Sequence, residues 1–317
     1  MTELKIPLSV PAANRNTYRK NYEQLTNRSG RLLLIAGDQK IEHLNDDFYG
    51  AGIDLGDKSP EHLFKIAAAF PGGVLAIHPG LLSRYGQDYP QIPYLLKLNG
   101  KTNIGGLEEK NSSHLFWSVA DVVRFSKNNG LKIVGIGYTV YLGGRYESEM
   151  LATAAQAIHD AHQAGLTAVI WMYPRGKNVK EEDIHTIAGG AGVAAALDAD
   201  FVKIKYPYGN KNKKEAAEKF IEAVAAAGRT KVICVGGAKI SAKDLLNFVD
   251  LQMNVAGTQG LAIGRNLHQR SLSDAAKLGT ALGDIIFHHQ KAKNAYASYL
   301  AKTPVAKSKT SRFLGIF

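Results

Sequence analysis

Ala199-Asp200-Phe201-Val202-Lys203-Ile204-Lys205-Tyr206-Pro207 reads as a short buried strand with two lysines on one face. Phe201, Val202 and Ile204 supply the apolar, partly β-branched run that a strand covered on both sides requires. Side chains alternate along a strand, so Lys203 and Lys205 share a face. An ammonium inside such a strand is costly unless it has a partner or a task. Desolvation and neighbouring cations lower its pKa, and the neutral amine then attacks a carbonyl to form a Schiff base. Taken alone, Lys203 would be read as a strand-end lysine reaching water or a carboxylate. The rest of the chain bears on the choice.

Outward from this strand the pattern repeats. Apolar strands are expected at 31–36, 74–78, 94–98, 132–138, 168–172, 201–205, 231–235 and 261–264. Amphipathic helices are expected at 60–70, 80–85, 113–128, 147–164, 180–197, 213–227, 242–255 and 273–292. Ser59-Pro60-Glu61 and Ser241-Ala242 carry helix-start chemistry, and Gly165 and Gly228 sit where helices should stop. Eight strand-then-helix units give an α/β fold, a (β/α)8 TIM barrel. A doubly wound open sheet is the competitor, but the first strand is not followed by G-x-G-x-x-G and the second is not followed by an acidic residue. The expected organisation is an N-terminal extension over 1–30, a barrel over 31–295 and a basic C-terminal tail over 296–317.

Chemistry in such a barrel sits at the C-terminal strand ends. These ends present Asp38 and His43 after the first strand, His78 after the second, and Lys97 and Asn99 on the third. The fifth ends in Trp171-Met172-Tyr173-Pro174-Arg175-Gly176. Gly236-Gly237-Ala238-Lys239 follows the seventh and Gly264-Arg265-Asn266 the eighth. Glycines in the last two loops let backbone N–H groups approach an anion, and Arg265 adds a forked charge, which together suit a phosphate. The plainer alternative is two glycine turns and a surface arginine. Trp171 and Tyr173 share a face, so the phenol is placed to exchange protons near a lysine, or both rings are core. Asp38 either pairs with Lys40 or hydrogen-bonds a substrate hydroxyl. His43 is either a surface residue or a second contact to a phosphate.

Composition narrows the function classes. The 317 residues are 45% apolar, enough for a large core. The lone Cys234 excludes a disulfide framework and lies in an apolar run, as a buried thiol would; a reducing cytoplasmic setting is expected. No run is apolar and long enough for a membrane helix, and the first residues lack the apolar region of a secretory signal. The formal charge of +11 includes four cations of the tail, Lys302, Lys307, Lys309 and Arg312. A nucleic-acid motif is lacking, so a field drawing phosphorylated metabolites explains the charge as well as nucleic acid does. The histidines do not cluster at strand ends as a catalytic metal would need, so neither metal nor another cofactor is expected.

The strand-end pieces, in order from Arg31 to Gln269, resemble the archaeal-type class I fructose-bisphosphate aldolases of the DeoC/LacD-type aldolase group. The resemblance rests on Asp38…His43, Trp171-Met172-Tyr173-Pro174-Arg175-Gly176, Ala199-Asp200-Phe201-Val202-Lys203, Val235-Gly236-Gly237-Ala238-Lys239 and Ile263-Gly264-Arg265-Asn266. It implies Lys203 as the Schiff-base lysine, Tyr173 as acid/base, and Asp38 orienting a substrate hydroxyl. It implies Trp171 walling the site and Arg175 with His43 near the distal phosphate. Gly236, Gly237, Lys239, Gly264 and Arg265 would hold the other phosphate. It also implies a homo-oligomer acting without metal on a phosphorylated sugar. Two departures stand out: Asp38-Gln39-Lys40 replaces the frequent Asp-His-Gly, and Lys205 is an added lysine that could depress the pKa of Lys203. Two other readings are a related Schiff-base aldolase or thiolase, such as an aminodideoxyheptulosonate synthase, and a non-catalytic phosphosugar-binding protein.

Overall fold

Eight parallel strands close into a barrel in chain order. They are β1 Leu32–Ala36, β2 Gly73–Ile77, β3 Tyr94–Lys97, β4 Ile133–Leu142, β5 Thr167–Pro174, β6 Phe201–Ile204, β7 Lys231–Val235 and β8 Gly260–Ile263. The last pairs with the first, Leu32 beside Gly260 and Ile35 beside Ile263. The computed structural model describes residues 4–207 and 212–301.

Period-two alternation divides the strand side chains between two cores. Leu34, Val74, Leu95, Val169, Trp171, Phe201 and Ile233 fill the barrel. Leu33, Ile35, Leu75, Ile77, Val202 and Ile204 face the surrounding helices. The indole of Trp171 needs space, and Gly137 on β4 supplies it: a Cβ there would lie 2.6 Å from Trp171 Cζ3 and 2.7 Å from Leu95 Cδ2.

Helix α1, Arg15–Leu25, buries Tyr18, Tyr22 and Leu25 and joins the barrel's inner core with Leu32 and Phe201. The described part of the expected extension is therefore the barrel's floor. Tyr18 donates its phenol to Asp200, just ahead of β6. The same carboxylate accepts from Ala168 N at 2.7 Å and lies 3.1 Å from His162 Nε2. On the other side of that ring, Ser9 Oγ lies 2.8 Å from Nδ1.

The outer helices are α2 Glu61–Ala68, α3 Pro79–Tyr85, α4 Val119–Asn129, α5 Glu147–Gln163, α6 Ile184–Ala196, α7 Lys213–Ala227, α8 Ala242–Asn254, α9 Leu272–His288 and α10 Ala292–Leu300. Three differ from expectation. Helix α4 starts at Val119 because Ser118 and Asp121 form a reciprocal capping box. The residues after Ser113 instead pair His114–Leu115 with Asn99–Gly100. Helix α6 starts four residues late, where Asp183 accepts the Thr186 N–H at 3.0 Å. The last expected helix breaks at His289, which is left-handed with φ 57°. Helix α10 then crosses the expected boundary at 296, and the basic tail from 302 lies outside the described residues.

Candidate active site

Lys203 points into the barrel from β6, beside Trp171 on β5 and Ile233 on β7. It is 4% exposed, and its Nζ lies 4.8 Å from the centre of the Trp171 ring. Among the described residues it makes neither a hydrogen bond nor an ion pair. Burial pulls its pKa down, and the opposing pull of Asp38 and Glu42 does not restore it. The result is an amine held toward its neutral form with its nitrogen uncommitted, as nucleophilic attack requires.

A second lysine shares the chamber. Lys97 on β3 is 2% exposed and donates to Asn99 O at 3.1 Å, Asn99 Oδ1 at 2.9 Å and Thr139 Oγ1 at 2.7 Å. Its pKa is held down to about 8, first by burial, with Lys203 also lowering it against Asp38 and Glu42. His78, at the end of β2, is pushed down to about 4 by burial and by the charge of Lys97.

Carboxyl groups come from the turn after β1. Asp38 is buried, and its Oδ1 has no hydrogen-bond partner among the described residues. Glu42 follows one turn later on the short helix Gln39–Glu42. It takes a hydrogen bond from the Tyr141 hydroxyl at 3.2 Å and pairs with Lys101 at 3.2 Å and Arg175 at 3.9 Å. Tyr141 and Tyr173 sit side by side on β4 and β5 with their rings stacked 6.2 Å apart. Burial, then Glu42 and Asp38, drive the Tyr173 pKa well upward, so its phenol keeps its proton. The Arg175 guanidinium covers both rings, 5.2 Å from Tyr141 and 5.8 Å from Tyr173. Arg175 and Lys101 thus form one cationic corner restrained by Glu42.

The opposite side of the rim carries the glycine loops. Gly237 has φ +69°, and Gly264 precedes the one-turn helix Arg265–His268. A Cβ at Gly264 would lie 1.7 Å from Gln39 Oε1, so glycine there lets the β1 turn and the β8 turn touch. Asn266 ties the loops together: its Nδ2 donates to Gly236 O at 2.9 Å and Ala238 O at 2.7 Å, and its Oδ1 accepts from Ile240 N at 2.9 Å. Arg265 lies 3.7 Å from Asp47, which also pairs with His43 at 2.6 Å.

Several expectations need correction. The Gly236 N–H donates to Ala262 O at 2.7 Å, which removes it as an anion donor. Lys239 turns its ammonium to Gly52 O at 2.7 Å and Gln269 O at 2.9 Å, so it braces two loops rather than facing the rim. His43 is joined through Asp47 to Arg265, not to Arg175. Lys205 leaves the barrel and pairs with Glu181 at 3.5 Å and Glu182 at 3.3 Å, and it contributes nothing to the shift of Lys203. Lys40 packs over the Phe48 ring at 4.1 Å, near Asn45.

Glu42, Lys101, Tyr141 and Asp47 were not singled out as site residues from sequence, and Lys97 and Asn266 were named at strand ends without a role. Lys97 had a usable signal, a charge within Tyr94-Leu95-Leu96-Lys97-Leu98. So did Glu42, which lies four residues after Asp38.

Among the described residues, His, Cys, Asp and Glu form no group of three that could hold a metal. Nor is any helix long and apolar enough to cross a membrane. A cavity of about 520 Å³ opens at the strand starts, lined by Lys20, Glu23, Arg28 and Lys132 among others. It gathers no buried titratable group, so the buried chemistry at the strand ends marks the site.

Comparison with known proteins identifies the family. The DeoC/LacD family aldolase pattern matches residues 32–270. The chain is 48% identical over 298 residues to a Methanocaldococcus jannaschii protein named fructose-bisphosphate aldolase/6-deoxy-5-ketofructose 1-phosphate synthase, covering 94% of each. It superposes on a fructose-bisphosphate aldolase structure from Slackia heliotrinireducens with a TM-score of 0.90, 45% identity and 94% of each chain covered. An archaeal fructose-1,6-bisphosphate aldolase, solved with its catalytic lysine bound to the carbinolamine intermediate, matches with a TM-score of 0.72 and 31% identity, over 85% of this chain and 99% of that one. With its barrel, its buried strand-six lysine and a match spanning the whole ring of strands, the chain belongs to the DeoC/LacD family of aldolases.

Proposed function

We propose that this protein is a class I fructose-1,6-bisphosphate aldolase that cleaves its substrate reversibly to dihydroxyacetone phosphate and glyceraldehyde 3-phosphate through a Schiff base. The observation that carries the reading is the state of Lys203: buried, desolvated, unbonded, and flanked by two chemically different rims. Its Nζ attacks the C2 ketone, and loss of water leaves an iminium. Cleavage of C3–C4 sends the electron pair into the iminium and gives an enamine, while the C4 hydroxyl loses its proton. Asp38, with its unpartnered Oδ1, is the group that takes or holds that proton. The aldehyde leaves, Tyr173 protonates the enamine at C3, and water releases the ketone and the free amine. The high pKa of Tyr173 suits it to hold this proton until the carbanion-like carbon forms.

The C1 phosphate lies with Gly237, Gly264 and Arg265, and the C6 phosphate with Arg175 and Lys101. A second reading is favoured by the Methanocaldococcus relative, whose name joins two aldol reactions. In it the same enamine would be captured by an aldehyde lacking a terminal phosphate, and Arg175 and Lys101 would be unnecessary. A cytoplasmic, homo-oligomeric enzyme is part of the proposal. The single buried thiol supports the reducing setting. Exposed Leu55 and Ile104 offer apolar contact surface.

Borohydride added with fructose 1,6-bisphosphate should fix a substrate-derived mass on the peptide containing Lys203, and Lys203→Met should abolish it. An adduct on any other residue, or none, would sink the reading. Light scattering reads the subunit number.

A further inference from the structure

Asp38 and His78 occupy neighbouring places on the inner rim. Ala36 lies beside Ala76, and Ile77 beside Leu96. Asp38 and His78 each follow two residues after their alanine, so they end adjacent strands at one level. Alternation turns His78 inward, in line with Val74 and Ala76 of the inner core. Its Nε2 lies 3.1 Å from Asn99 O. A carbonyl only accepts, so Nε2 carries the proton and Nδ1 carries a lone pair. Nδ1 has no hydrogen-bond partner among the described residues. Burial and then the charge of Lys97, against Asp38, push the His78 pKa to about 4, so the ring stays neutral and the lone pair stays available. Gly100 lets the backbone after Asn99 come this close, since a Cβ there would lie 3.0 Å from Nε2.

We propose that His78 is a specificity-determining residue whose Nδ1 accepts a hydrogen bond from the C5 hydroxyl of the ketose. The inference deepens the function proposed above and rests on it. Around the rim the order is Arg265 after β8, Asp38 after β1, His78 after β2 and Lys101 beyond β3. The substrate runs in the same order, from its C1 phosphate, through the C4 hydroxyl given to Asp38, to its C6 phosphate. Between the C4 and C6 contacts only C5 remains to be read. His78 is bonded to Asn99, two residues before Lys101, and so stands on the C6 side of Asp38. Adjacent strands lie about 4.8 Å apart, close enough for two acceptors to read the hydroxyls of one vicinal diol. Lys97, the next residue along the rim, does not compete for this role, because its Nζ already bonds Asn99 and Thr139.

The test runs the enzyme in the aldol direction, with dihydroxyacetone phosphate and either of two aldehydes. One is glyceraldehyde 3-phosphate; the other is 3-oxopropyl phosphate, which lacks the hydroxyl that ends on C5. Wild type should favour the first in kcat/KM by about 10- to 100-fold, as where a placed acceptor is otherwise left unpaired. His78→Phe should bring the ratio to within about threefold, mainly by slowing glyceraldehyde 3-phosphate. A merely structural role lowers both rates alike and leaves the ratio unmoved. A wild type indifferent to the hydroxyl, or a preference undiminished in His78→Phe, would overturn the proposal. Should His78→Phe fail to fold, nitrogen NMR of histidine-labelled Lys203→Met protein decides. Fructose 1,6-bisphosphate should move the Nδ1 signal of His78 upfield, as an accepting lone pair does, and an unmoved signal would overturn the idea. Borohydride with dihydroxyacetone phosphate alone runs alongside. No adduct on wild-type Lys203 strikes the Schiff-base reading, whereas an intact adduct with an unmoved ratio strikes only the role of His78.

Discussion

Tyr18, on the helix that floors the barrel, hydrogen-bonds Asp200, the residue that leads into the strand carrying Lys203. A contact between positions 182 residues apart thus anchors the base of the catalytic strand. The phenol is buried against a carboxylate, and burial and that charge push its pKa far up. Hydrogen bonds of this charge-assisted kind contribute about 1.5–3 kcal/mol. Tyr18→Phe should lower the unfolding free energy by about that amount, read as a shift in urea midpoint at constant slope. An unchanged midpoint would mean that the floor helix is held by its apolar face alone.

His162 makes that anchor sensitive to pH. Burial alone would lower its pKa, but the hydrogen bond and charge of Asp200, aided by Asp198, win, and the net shift is upward. A folded pKa above the unfolded one means that protons bind more tightly to the native state. The stabilisation is full below the ordinary imidazole value of 6.5 and fades as pH rises through the folded value. Urea midpoints measured from acid to alkaline pH should fall across that window in wild type. His162→Gln should flatten the fall; a profile identical to wild type would remove His162 as its source.

Tyr173→Phe keeps the stacking on Tyr141 and removes the hydroxyl that carries the proton. Turnover should drop roughly 10²- to 10⁴-fold, while borohydride still traps the iminium on Lys203, since its formation precedes protonation of the enamine. Near-normal turnover, measured with a coupled dehydrogenase, would take Tyr173 out of the mechanism.

Arg265 and Lys239 were expected to serve one phosphate, and their contacts separate them. Arg265 lies at the mouth beside Asp47, whereas Lys239 braces the carbonyls of Gly52 and Gln269. Arg265→Met should raise KM for fructose 1,6-bisphosphate about 10- to 100-fold, the worth of a charge-assisted contact to phosphate. Lys239→Met should leave KM within about twofold and lower the melting temperature instead. Steady-state kinetics beside thermal scans distinguish the two, and a large KM effect for Lys239→Met would return it to the phosphate.

The barrel was legible because its signals are local and periodic. Apolar runs recur between capped helices, and alternation pairs Trp171 with Tyr173, whereas Lys203 and Tyr173 become site residues only through the family resemblance. Where the outcome hinges on partners far along the chain, the signal fades. Lys97 looks like any strand-end lysine until Asn99 reaches Thr139, 40 residues on. Lys239 sits beside a glycine pair, and only the fold shows its ammonium claimed by Gly52, 187 residues earlier. His289 breaks a helix without a glycine or proline to announce it. Ser113 and Ser118 are alike as caps until Asp121 closes the box with the second.

The stoppered floor also governs traffic. With Tyr18, Tyr22 and Leu25 plugging the strand starts, the way to residue 203 runs over the opposite rim, where the phosphate contacts are proposed. A bisphosphate held at that rim would stand across the path by which water enters.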